Sequence, residues 1–156
     1  MYRNILIATD GSELAKKAVE HGLVLAQAMS ARATIVTVTE SWEAASETWG
    51  VVELSYLDEQ DPDRSPKETF DRAMEKRAEQ ILDPARSIAR QLDVEHNTLH
   101  LREDFPAPAI ISASEKLHSD LIVMGSHGRR GISRLVMGSQ AAEVISTAKI
   151  PVLIVR

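Results

Sequence analysis

Short runs that are apolar on both faces, separated by stretches of helical period, constrain this chain more than any other feature. Residues 3–9, 33–39, 94–101, 121–124 and 151–155 read as strands. The runs ILIA, LIVM and VLIV show no polar face, which suits a sheet covered on both sides. Asp10 or Ser12 can cap a first helix, with Glu13 in its first turn and Leu14, Ala18, Leu25 and Met29 at helical spacing. Ser65-Pro66 opens a long helix whose apolar stripe is Phe70, Met74, Ala78, Leu82, Ala85, Ile88 and Leu92. Pro84 falls inside that stripe and should bend the helix or break its ladder locally. Pro106 and Pro108 precede a helix over residues 109–118, and residues 138–148 form the last one. Strands alternating with helices predict an α/β fold: one parallel, doubly wound, Rossmann-like sheet of five strands sandwiched by helices.

The 156 residues suffice for one domain, 1–156, with one core. A long loop insertion is expected at about 41–66, with at most a short helical turn. It holds Trp42 and Trp49, which either cover a ligand or pack on a neighbouring surface. There is no cysteine, so disulfides and thiolate metal sites are excluded, and a reducing, cytoplasmic setting fits. The opening MYRNILIATDGS lacks the pattern of a signal peptide, and the apolar runs are too short for membrane insertion. A net charge of −5 argues against a broad nucleic-acid surface. Charge is uneven, however: residues 125–138 carry Arg129, Arg130 and Arg134 and no carboxylate. That suits either a small anionic ligand or a solvated loop.

Doubly wound sheets bind ligands beyond the carboxyl ends of their strands. Residues 8–11, the end of the second strand near Val38 and the loop after Met124 should meet there. In that loop Gly125 and Gly128 allow a sharp turn and close backbone approach. Gly138-Ser139 sits at a helix start, where free N–H groups and the helix dipole favour phosphate. The lysine of a P-loop is absent, and the spacing is not that of a dinucleotide fingerprint. Glycines are also common in such loops, and serine is an ordinary cap.

The order Gly125, two residues, Gly128, nine residues, Gly138-Ser139 resembles the ATP-binding branch of the universal stress protein family. ILIATDGSELAKKAVEHGLVLA resembles that family's opening strand and helix, and DLIVMGSHGRRGISRLVMGSQAAEVISTAKIPVLIV its closing half. The resemblance implies strand order 3-2-1-4-5 and a site for ATP, ADP or AMP. It implies that Asp10 meets the ribose or a phosphate-bound Mg²⁺, and that Ala8, Thr9 and Val38 frame the adenine. Ala8 stands where relatives often carry Pro or Val. Met124 leads into the phosphate cradle of Gly125, Gly128, Gly138, Ser139 and Gln140, with His127 and Arg129 beside it. It also implies a homodimer through the edge strand 151–155, and an unknown protein partner.

Asp10 can equally be a turn or cap residue, His127 can be merely exposed, and Arg130 and Arg134 read as solvated. His21, His96, His100 and His118 have no metal-ligand spacing. The expected surroundings of the cradle hold one carboxylate, Asp10, and no paired acid and base or activated nucleophile. A stress-response or signalling module that binds nucleotide and hydrolyses it slowly at most is therefore expected. The alternatives are a Mg²⁺-dependent nucleotide hydrolase or transferase, and a nucleotide-free interaction module.

Overall fold

The computed structural model describes residues 1–49, 64–127 and 137–156. In chain order the elements are β1 (Asn4–Ala8), α1 (Glu13–Met29), β2 (Arg32–Thr39), α2 (Trp42–Trp49) and α3 (Pro66–Gln91). They continue with β3 (His96–Arg102), α4 (Pro106–Lys116), β4 (Leu121–Gly125), α5 (Ser139–Thr147) and β5 (Val152–Val155). The five strands form one sheet in the order β3-β2-β1-β4-β5. Every pairing is parallel. No helix among the described residues is long and apolar enough to cross a membrane.

The strands alternate between two cores, because successive side chains leave opposite faces of a sheet. Ile5, Ile7, Ile35 and Val123 meet Ala18, Val19 and Leu23 of α1 and Leu82, Ala85 and Ala89 of α3. Leu6, Ala8, Val36, Ile122 and Met124 meet Ala107, Ile110 and Ala113 of α4 and Ala141 and Val144 of α5. So α1 and α3 cover one face, and α4 and α5 cover the other. Both faces of β1 and β4 are buried, which is why their sequences carry no polar register.

The buried stripe of α1 differs from the expected one. Ala15, Ala18, Val19, Gly22, Leu23 and Ala26 are buried, while Leu14, Leu25 and Met29 lie at its margins. Small residues bring this helix close to the sheet, and the larger ones flank the contact. Ser12 caps α1 by accepting from the Ala15 N–H at 3.3 Å. The α3 cap is reciprocal: Ser65 accepts from the Glu68 N–H, and the Glu68 carboxylate accepts from the Ser65 N–H. The α3 helix runs through Pro84 without a break in its assigned range.

Two boundaries shift. α4 begins at Pro106 and carries Pro108 within its first turn, where a missing N–H leaves no acceptor unsatisfied. A full helix, α2, occupies Trp42–Trp49, where no more than a short turn was expected. Trp42 packs edge-on against Phe70 of α3 at 5.8 Å, with Ala45 and Met74 beside it. The rest of the expected insertion, residues 50–63, lies outside the described residues.

Candidate functional site

The strand order reverses between β1 and β4, and a cleft of about 590 Å³ opens over the carboxyl ends of the strands there. Ala8, Thr9 and Asp10 line it from the end of β1, and Val38 from β2. Met124, Gly125 and His127 line it from β4 and its exit, and Gly138, Ser139 and Gln140 from the start of α5. Ten of the residues singled out in the sequence thus share one wall system. Gly128 and Arg129, with Arg130 and Arg134, lie outside the described residues.

Two roles expected as alternatives for Asp10 coexist. Its Oδ1 accepts from the Ser12 N–H at 3.0 Å, which fixes the turn, and the residue also lines the cleft. Thr9 steadies the same turn by accepting from the Gly11 N–H at 3.2 Å.

The α5 end is built from backbone. The Gly138 N–H donates to the Ser126 carbonyl at 2.8 Å, which pins the start of α5 to the exit of β4. A Cβ at Gly138 would stand 3.1 Å from that carbonyl oxygen, so close approach of two backbone segments requires glycine here. Among the described residues no side chain caps α5. The N–H groups of Ser139, Gln140 and Ala141 precede the first possible intrahelical acceptor, and the positive end of the helix dipole adds to them.

His127 stands beside this helix start. Its Nδ1 lies 2.9 Å from Ser126 Oγ, and its Nε2 is buried with no hydrogen-bond partner among the described residues. Ser126 is itself buried. With the Ser126 hydroxyl donating to Nδ1, Nε2 carries the ring proton; with Nδ1–H donating to the serine, Nε2 is an acceptor. A buried polar atom without a partner is costly in either tautomer, and this one borders the cleft.

Gln140 is used differently from expectation. Its side-chain Oε1 accepts from the Ala107 N–H at 2.9 Å. It thereby supplies α4 with a cap that Phe105 does not provide. Its main-chain N–H remains at the start of α5.

The opposite end of the cleft is acidic, which corrects the expectation of a single nearby carboxylate. Glu40, Glu103 and Asp104 line the cleft beyond β2 and β3. Asp104 Oδ1 accepts from the Ser41 N–H at 3.2 Å and its hydroxyl at 2.6 Å. Thr39 lines the same end, and its Oγ1 lies 2.8 Å from His100 Nε2. The rule that ligands sit beyond strand ends applies to residues 103–104 as well, and would have marked them. Arg77 of α3 also reaches the cleft. It stands among charged residues on a helix surface, and no sequence signal separates it from its solvated neighbours. Among the described residues no cluster of three His, Asp or Glu side chains could hold a metal.

A doubly wound α/β domain with a backbone-built, donor-rich pole at its switch point is a recognisable class. The universal stress protein family model matches residues 1–156, and the chain belongs to that family. It is 32% identical to a universal stress protein of Thermus aquaticus and 30% identical to the universal stress protein YxiE of Bacillus subtilis, covering all of each chain. The solved structure of hypothetical protein MJ0577 has the same fold, with a TM-score of 0.78 at 21% identity, covering 99% of this chain and 96% of that one. Two further solved relatives are a universal stress protein of Archaeoglobus fulgidus in complex with dAMP and a universal stress protein in complex with cAMP. Their TM-scores are 0.66 and 0.65 at 20% and 21% identity. Each match covers 99% of this chain, with 98% and 97% of the other.

Proposed function

We propose that this chain is a cytoplasmic stress-response module that holds ATP, or its ADP or AMP counterpart, in the switch-point cleft and hydrolyses it slowly at most. The observation that carries this reading is the uncapped start of α5 facing the cleft beside the orphan Nε2 of His127. The main-chain N–H groups of the helix start are donors that a phosphate satisfies, and a protonated His127 Nε2 adds another.

Charge along the cleft gives the ligand a direction. Glu40, Glu103 and Asp104 repel phosphate from the β2–β3 end and suit the amino group of a base. Ala8 and Val38 flank the base, and the α5 end takes the 5′-phosphates, joined there by Gly128 and Arg129 of the family pattern. Asp10, between the two ends, serves the sugar hydroxyls or an Mg²⁺ that the nucleotide brings. One carboxylate on a phosphate-bound Mg²⁺ fits the usual chemistry of that ion. Rapid phosphoryl transfer asks for a positioned nucleophile and a cation on the transferred group in addition. Relatives solved with dAMP and cAMP support an adenine ligand. The family also suggests a homodimer through β5.

The test is to purify the protein without added nucleotide, denature it, and identify what is released. Ser139→Asp is the companion variant, because a carboxylate at a helix start suits the dipole yet repels phosphate. We expect an adenine nucleotide from the wild type, and affinity at least about tenfold weaker in Ser139→Asp with an unchanged melting temperature. If nothing is released and titrated AMP, ADP and ATP all fail to bind, the reading is wrong.

A further inference from the structure

We propose that the ligand of this protein carries a second phosphate, on the sugar, and that Arg77 receives it; this rests on the nucleotide reading above. A second cavity, of about 420 Å³, lies between α1 and α3. It shares Thr9, Asp10 and Arg77 with the cleft and shares no residue of α5 with it. Arg77 therefore lines both cavities, as do Thr9 and Asp10 of the turn after β1.

Arg77 also stands on the other side of the sheet from the 5′-phosphate pole. It belongs to α3, which covers the face of Ile5, Ile7 and Ile35, whereas α5 covers the face of Leu6, Ala8 and Val36. Arg77 and the start of α5 line one cleft but approach the end of β1 from opposite layers, an arrangement that suits two phosphates better than one. A nucleotide whose sugar lies at Asp10 can place two separate phosphates, one toward each layer.

Arg77 is half-buried, and among the described residues no hydrogen bond or ion pair engages its guanidinium. A partly desolvated cation without a counter-ion, on a wall open to ligand, suits a bidentate phosphate contact. Lys16 lies on the rim of the same cavity and adds positive potential, although its ammonium already meets Glu13 at 2.6 Å. The arrangement parallels, in physical terms, the use of an arginine beside a ribose-binding acid to accept a sugar phosphate.

The experiment is calorimetric titration of AMP, adenosine 2′,5′-bisphosphate, adenosine 3′,5′-bisphosphate and ATP into the wild type, Arg77→Gln and Arg77→Lys. Melting curves establish that each variant is folded. One bisphosphate should bind the wild type about tenfold or more tightly than AMP. That ratio should fall below about twofold in Arg77→Gln and recover in part in Arg77→Lys. A wild type that binds AMP but does not prefer either bisphosphate overturns the proposal. So does a preference that survives Arg77→Gln. If Arg77→Gln instead abolishes a preference for ATP over AMP, the arginine serves the 5′ chain and the sugar-phosphate assignment is wrong. Failure of every nucleotide, AMP included, removes the nucleotide reading and this proposal with it.

Discussion

Gly22 shows how one missing methyl group sets the distance between a helix and a sheet. A Cβ there would lie 2.7 Å from Ile7 Cδ1 and 2.9 Å from its Cγ1, inside the core under β1. Ile7 is fully buried, so its side chain would have to shift against packed neighbours. Gly22→Ala should therefore destabilise the protein by roughly 1–3 kcal/mol, despite the better helix propensity of alanine, as read from urea unfolding. His100 gives a pH dependence of known sign. Burial holds its imidazole below the ordinary value of 6.5, Arg102 acts in the same direction, and Glu75 and Glu79 pull the other way. The unfolded chain then takes up this proton first as pH falls. The contribution is fully present above about pH 6.5 and is lost as pH falls toward the folded-state value. His100→Gln should make stability fall less steeply below pH 6.5, in unfolding curves taken across that range. At this scale legibility was uneven. Asp10, Gly138 and Ser139 were visible because strand ends and helix starts have sequence signatures. Arg77 was not, because a cation on a helix surface acquires meaning only from what the fold places opposite it.

Helix starts are where the elements meet the site. α3 carries its own reciprocal cap, legible in Ser65 and Glu68. α4 has none in its own sequence and takes one from α5, through Gln140 Oε1 and the Ala107 N–H. Gln140→Ala should cost about 1 kcal/mol and loosen the α4–α5 pair, seen as faster amide exchange in the first turn of α4. That borrowed cap could not be read from sequence, since its partners stand 33 positions apart. α2 was missed for a related reason. Its eight residues are too few to hold a helix on their own, and the packing of Trp42 on Phe70 holds them in place. α3 connects to the sheet by a network as well as by its stripe. Arg86 meets Glu79 and Asp83 at 2.7 and 2.6 Å and donates to Thr98 of β3, and those acids raise its pKa further.

For the whole molecule, the alternation of two-faced strands with helices was enough to predict a parallel sheet, and the family resemblance gave its order. The edge strands differ in cover. β3 is half-buried, while β5 leaves Leu153 exposed. An apolar edge with free backbone groups invites pairing. Light scattering at micromolar concentration should give the mass of a dimer, and Leu153→Lys should shift it toward the monomer. The polarity of the cleft was the part least legible beforehand, because its acidic end is assembled from two strand exits that sequence keeps far apart.

The bond between the Gly138 N–H and the Ser126 carbonyl has a consequence for evolution. It fastens both ends of the glycine-punctuated segment to the scaffold itself. Closing a loop whose ends are already joined depends only weakly on its length, about 0.6 kcal/mol for each doubling. Substitutions between these two anchors leave the sheet and α5 in place, while the glycine spacing that marks the family keeps the length of the segment.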